Sequence, residues 1–199
     1  VRVALADYGA GNLRSVCAAL GRAGADPVVT TDPATLLDAP LAVIAGVGHV
    51  ESAARGLAEQ RLDDALRARA ADGRPTLGIC VGLQLFFEES EEGGAGLGLL
   101  SGPVRRLRAR RVPHMGWNEL SVTRKSALLD GLDGADVYFA HSFAAEPADD
   151  VAVAYVDHDG TIVAAVESGP LAGVQFHPER SGPAGARVLT NALAWSRSV

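Results

Sequence analysis

Cysteine is scarce in this chain: Cys17 and Cys80 are the two it has. Two thiols build no disulfide framework and no four-cysteine zinc site, and they fit a reducing cytoplasm. None of the five histidines falls in H-x-x-E-H or H-E-x-x-H spacing, so no metal and no other cofactor is expected. No apolar run is long enough to cross a bilayer, and no basic-then-apolar segment opens the chain. Neither a membrane partner nor a secretion signal is therefore expected. Excess positive charge is missing too. The net charge of −6 argues against nucleic acid as a partner. No internal repeat or long Pro/Ser linker divides the 199 residues, which suit a single α/β domain.

Apolar material is ample, at 48% of the residues, and its order is informative. Strand patterns are predicted at 1–6, 27–30, 41–44 and 76–79. Helices are predicted at 12–22, where Cys17 falls in the buried stripe with Leu13, Val16 and Leu20, and at 60–71, with Leu62 and Leu66 inward. This alternation predicts a parallel, doubly wound sheet. Alternating apolar and basic residues fill 104–110. Further strands are predicted at 137–140, 151–156, 161–166 and 172–176, with few helices between them. They read as antiparallel additions to the sheet. A helix over 182–195 closes the chain.

Cys80 lies in Gly78-Ile79-Cys80-Val81-Gly82, where an apolar strand meets a turn of small residues. This G-x-nucleophile-x-G pattern is a nucleophile elbow with sulfur as the nucleophile. The glycines leave room where the chain doubles back, and the following helix points its positive end at the sulfur. A cysteine nucleophile needs a base and a group that orients it. Gln175-Phe176-His177-Pro178-Glu179 offers both. Pro178 biases His177 toward extended backbone, so His177 and Glu179, two apart, are predicted to converge. The Val81 amide is one candidate oxyanion donor. Val47 and Gly48, in the turn Gly46-Val47-Gly48, are the others. Singly, a Gly-Val-Gly turn or a His-Pro-Glu loop is ordinary. Their conjunction with the elbow, in this chain order, points to an enzyme.

These residues resemble the triad-type (class I) glutamine amidotransferases. Three further runs narrow the resemblance to the glutaminase subunits of imidazole glycerol phosphate synthases. They are Asp7-Tyr8-Gly9-Ala10-Gly11-Asn12-Leu13-Arg14-Ser15-Val16, Val112-Pro113-His114-Met115-Gly116-Trp117-Asn118 and Tyr138-Phe139-Ala140-His141-Ser142-Phe143. The resemblance runs nearly end to end. It implies one flavodoxin-like glutamine amidotransferase domain over 1–199, with a central, mostly parallel sheet and added antiparallel strands. It also implies glutamine hydrolysis through a thioester on Cys80, with His177 and Glu179 completing the triad. Gly46, Gln84 and Glu92, with the backbone of His141, Ser142 and Phe143, would bind L-glutamine. The implied partner is a (β/α)8-barrel cyclase subunit in a cytoplasmic heterodimer, which receives the ammonia for histidine biosynthesis. Asn12, Met115, Trp117, Asn118, Tyr138 and Arg180 would face it.

Two departures from the family pattern stand out. Ala45 replaces the usual proline before Gly-Val-Gly, and His49-Val50 replaces a commonly small-then-aromatic pair. Without the proline's fixed φ the oxyanion turn is easier to rearrange. It is expected to be set only when the loaded partner is docked. Two other readings stay open on the sequence: a glutaminase serving another synthase, such as that of pyridoxal phosphate, and an inert interaction subunit of the same fold.

Overall fold

Near-continuous apolar runs make strands that are buried on both faces, and this chain uses them to build one sheet. The computed structural model describes residues 1–9 and 11–198, so Ala10 of the opening motif lies outside the described residues. The first half forms β1 (Arg2–Ala6), α1 (Leu13–Arg22), β2 (Asp26–Thr30), α2 (Pro33–Asp38), β3 (Leu41–Gly46), α3 (Val50–Glu59), α4 (Leu62–Ala71), β4 (Thr76–Cys80) and a single turn, α5 (Val81–Gln84). The second half adds β5 (Glu89–Ser90), β6 (Pro103–Arg106), β7 (His114–Glu119), β8 (Ser121–Val122), β9 (Asp136–His141) and β10 (Phe143–Ala145). It ends with β11 (Ala152–Asp157), β12 (Thr161–Ser168), β13 (Leu171–Val174), a 3₁₀ turn at Pro178–Arg180 and α6 (Gly182–Trp195).

The central sheet runs β2-β1-β3-β4-β13-β12-β11-β8. Its first five strands are mutually parallel, and β12, β11 and β8 add antiparallel pairings. The β2-β1-β3-β4 order is that of a flavodoxin-like doubly wound sheet, with β13 in the fifth place. Strands β3, β4 and β13 are buried along their whole length. They are neighbours in register: Gly46 pairs with Cys80, and Ile79 with Val174. The chain segments that leave all three strands therefore meet at one carboxyl edge.

The structure departs from the sequence expectations in several places. Helices α2 and α3 were not expected. Asp32 caps α2, accepting from the Ala34 and Thr35 amides, and Pro33 opens it. The helix expected from residue 60 starts at Leu62, because Arg61 takes a left-handed φ of 56° and separates α3 from α4. The extra strands also do not all join the main sheet. Strands β7 and β9 form their own ribbon, and β10, β6 and β5 form a third sheet. The alternating stretch 104–110 is strand only to Arg106; beyond it the Leu107 amide donates to the Ser142 carbonyl. Cys17 is half-buried on α1 and packs against the core.

Candidate active site

Cys80 ends β4 with φ 54° and ψ −108°, a backbone conformation that L-residues rarely adopt. Crowding around it explains why glycines flank it. A Cβ on Gly78 would stand 2.6 Å from the Gly82 carbonyl, and one on Gly82 would overlap the Ile44 carbonyl. The chain thus turns sharply between β3 and β13 and pushes the sulfur to the sheet edge. The helix that follows is one turn long, so its dipole gives the thiolate little help. The stronger electrostatic partner is an imidazole.

His177 leaves β13 with extended backbone, and its Nδ1 lies 2.9 Å from Glu179 Oε1. The two converge for a different reason than the sequence suggested. Pro178–Arg180 is a 3₁₀ turn, not an extended segment, and it folds Glu179 back under the ring. Both side chains are buried, at 6% and 5% exposure, which strengthens the pair. Burial alone would lower the His177 pKa. Its interactions with Cys80 and with the hydrogen-bonded Glu179 outweigh it and hold the ring up at about 10. The buried Nε2 makes no hydrogen bond within ordinary distance and angle limits, so it remains available to the sulfur and to substrate. The carboxylate–imidazole pair is thus formed, and its electrostatic influence reaches the Cys80 thiol.

A cavity of about 230 Å³ opens beside Cys80. Among the groups expected to bind substrate or oxyanion, Val47, Gly48, Val81, Gln84, Glu92, His141, Ser142 and Phe143 line it. Gly46 sits behind, paired with Cys80 across the strands. Gly48 has φ 99°, and Val47 is half-exposed at the rim.

Residues 4–195 match the family described as glutamine amidotransferase class-I. The chain belongs to that family. This amidotransferase is 46% identical over 192 residues to the imidazole glycerol phosphate synthase subunit HisH of Methanothermobacter thermautotrophicus, covering 95% of this chain and 96% of the other. It is 42% identical to the subunit of the same name from Thermobifida fusca, covering 97% and 98%. Among solved structures, one described as a crystal structure of glutamine amidotransferase superposes with a TM-score of 0.80 at 20% identity, covering 98% of each chain. PurLQS from Thermotoga maritima superposes at 0.76 and 23%, again covering 98% of each. The structural matches establish the fold alone.

The amidotransferase carries an exposed patch next to this edge. Met115 and Trp117 are 65% and 57% exposed on β7. The Arg180 guanidinium stacks over the Tyr138 ring at 4.4 Å, and the Trp117 ring meets Tyr138 edge-on at 6.0 Å. Asn12 is exposed and caps α1, accepting from the Ser15 amide, and α1 packs against the Pro178–Arg180 turn. Asn118 does not join this patch. The two-residue period of β7 puts it on the opposite face, where its amide contacts His114 and the Asp157 carbonyl.

Four residues near the site had no role in the sequence reading. Tyr8 donates its hydroxyl to the Ala45 carbonyl at 2.9 Å and fills the space that a side chain at position 46 would need. Burial first, and the Cys80 sulfur second, hold its phenol protonated beyond the ordinary tyrosine range. Gln175 is fully buried and directs Nε2 at Cys80 Sγ, 3.6 Å away. His49 places Nδ1 2.8 Å from Glu92 Oε1, while Glu92 Oε2 accepts from the Val50 amide at 3.2 Å. His114 is buried against His141. Gln175 could have been noted beside His177-Pro178-Glu179, but its target is 95 residues away in sequence.

Proposed function

We propose that this chain is the glutamine-hydrolysing subunit of imidazole glycerol phosphate synthase, acting in the cytoplasm in histidine biosynthesis. The observation that carries the chemistry is His177, bound to Glu179 and electrostatically coupled to Cys80 at the ends of neighbouring strands. The choice of synthase is supported by the relatives at 42–46% identity across nearly the whole chain.

In the proposed mechanism the Cys80 thiolate attacks the side-chain amide carbon of glutamine. The oxyanion of the tetrahedral intermediate is received by the Val81 amide and the Val47–Gly48 turn. Imidazolium His177 gives its proton to the departing nitrogen, and ammonia leaves the thioester. His177 then takes a proton from water, the hydroxide splits the thioester, and glutamate departs with the thiolate restored. Glu179 holds the ring by Nδ1 throughout and transfers no proton. Gly46, Gln84 and Glu92 bind glutamine, and the His141–Phe143 backbone holds its α-amino and carboxylate ends. Because ammonia in neutral water is mostly protonated, it is passed to a docked (β/α)8-barrel cyclase subunit. Met115, Trp117, Tyr138, Arg180 and Asn12 form the docking face for that subunit, and the whole chain acts as one amidotransferase domain.

The test is glutamate release measured with and without the barrel subunit and its nucleotide. Turnover is expected to be low for the chain alone and to rise strongly with both present. Labelling of Cys80 by a glutamine-mimicking electrophile is expected under the same activating conditions. Absence of both turnover and labelling would make this an inert interaction subunit. Activation by a pyridoxal phosphate synthase instead would reassign the partner.

A further inference from the structure

Three polar side chains outside the triad form a hydrogen-bond chain whose direction is fixed by its end groups. The Phe143 carbonyl can only accept, so His141 donates to it from Nδ1 at 2.8 Å and presents a bare Nε2. That nitrogen lies 2.9 Å from His114 Nδ1, so His114 donates from Nδ1 and its own Nε2 accepts. Asn118 Nδ2 donates to that Nε2 at 3.2 Å and to the Asp157 carbonyl at 2.8 Å. Both rings are therefore neutral Nδ1–H tautomers. A tautomer exchange in either would set two lone pairs or two hydrogens face to face.

The surroundings enforce this. Burial, then the neighbouring His158, lowers His114 to about 4. Burial is also the largest influence on His141, which falls to about 3 although its bond to Phe143 opposes the shift; His114, His158 and His177 push it further down. The His114 ring is clamped between Phe139, at 4.5 Å, and His158, at 4.1 Å.

The inner end of the chain reaches the cavity wall. The Phe143 carbonyl also accepts from Gln84 Nε2 at 2.8 Å, and Gln84 gives its other amide hydrogen to Gln175 Oε1 at 3.0 Å. With both amide hydrogens used, the Gln84 oxygen is left for a donor in the cavity it lines. We propose that His114 is a positioning residue for substrate: by donating to Nε2 it holds the His141 ring seated against the Phe143 carbonyl, which fixes that carbonyl and sets which atom of Gln84 faces glutamine. This rests on the reading of the cavity as the glutamine site.

The variants that test it are His114→Phe, which keeps the ring and its stacking but has no donor, and His114→Asn, which restores a donor near Nδ1. With the barrel subunit present, H114F is expected to raise KM for glutamine about tenfold with kcat within about twofold, and H114N to recover most of the loss. Should H114F not fold, His114→Gln, whose amide reaches the Nε2 position and leaves Nδ1 unreplaced, carries the same expectation. Long-range nitrogen–proton NMR of the imidazoles, on the chain alone, is expected to show neutral Nδ1–H rings at 114 and 141, with the bare His141 Nε2 resonance shifted in H114F by loss of its donor. An Nε2–H ring at either position, or an unchanged KM in a folded donor-less variant, overturns the proposal. A parent complex that turns over no glutamine overturns the reading of the cavity, and the proposal with it.

Discussion

At the scale of single residues, the proposed triad has unequal roles. Cys80→Ala is expected to abolish glutamine hydrolysis, while the complex still runs the cyclase step on added ammonium salts. Loss of that ammonia-dependent activity would make Cys80 a structural residue. His177→Ala is expected to lower kcat more than Glu179→Gln, because in the proposed mechanism His177 transfers protons and Glu179 only orients the ring. Steady-state kinetics on the two variants checks this, and an equal or larger loss in E179Q would contradict the assignment. The elbow and the His-Pro-Glu run were legible because each is continuous in sequence. Tyr8 and Gln175 were not, because their roles exist only as contacts between strands: Tyr8 acts on a carbonyl 37 residues away and Gln175 on a sulfur 95 away. His49 was noticed as a departure, and its partner Glu92 was expected at the substrate site, yet nothing local in the sequence joins them.

At the scale of elements, the short helices were the hard part. Helix α2 has six residues, fewer than two turns, so it shows no period. In α3 the buried positions are Val50, Ala53 and Leu57, and the alanine thins the apolar stripe. What ties α2 to the rest is Arg69, fully buried on α4. Its guanidinium donates to the carbonyls of Leu36, Leu37, Ala39 and Pro75 and to the Thr76 hydroxyl. It therefore serves the unpaired carbonyls at the end of α2. Burial, then Arg74, lowers its pKa to about 10, so it stays charged at neutral pH. Arg69→Met would orphan several buried acceptors and is expected to cost about 3–5 kcal/mol. A lower denaturation midpoint with KM for glutamine unchanged at low temperature is the expected result. On β7, Trp117→Ala removes a half-exposed ring and should leave stability alone while weakening partner binding about 30-fold. Unchanged affinity by calorimetry would move the docking face elsewhere.

For the whole molecule, the parallel sheet was legible from alternating strand and helix patterns, whereas the division of the later strands among three sheets was not. Alternation within a strand says which face is buried and nothing about which partner covers it. The histidines also give the folded molecule a pH signature. Unfolded histidine titrates near about 6.5. His114 and His141 fall to about 4 and 3 on folding, so the unfolded chain binds more protons below about pH 6.5, and their contribution is lost as pH falls. His177 rises to about 10, so its contribution is full below about pH 6.5 and fades as pH climbs toward 10. The melting temperature is therefore expected to peak between these limbs, and His177→Ala should flatten chiefly the alkaline side. An alkaline slope unaltered in that variant would contradict the coupling to Cys80. The adjacency of β4 and β13 has a last consequence, for synthesis on the ribosome. The sulfur emerges about a hundred residues before His177, and β13, the strand that leads to His177, must insert beside a strand made much earlier. A nascent chain that has not yet reached β13 thus holds the thiol without the imidazole proposed as its base.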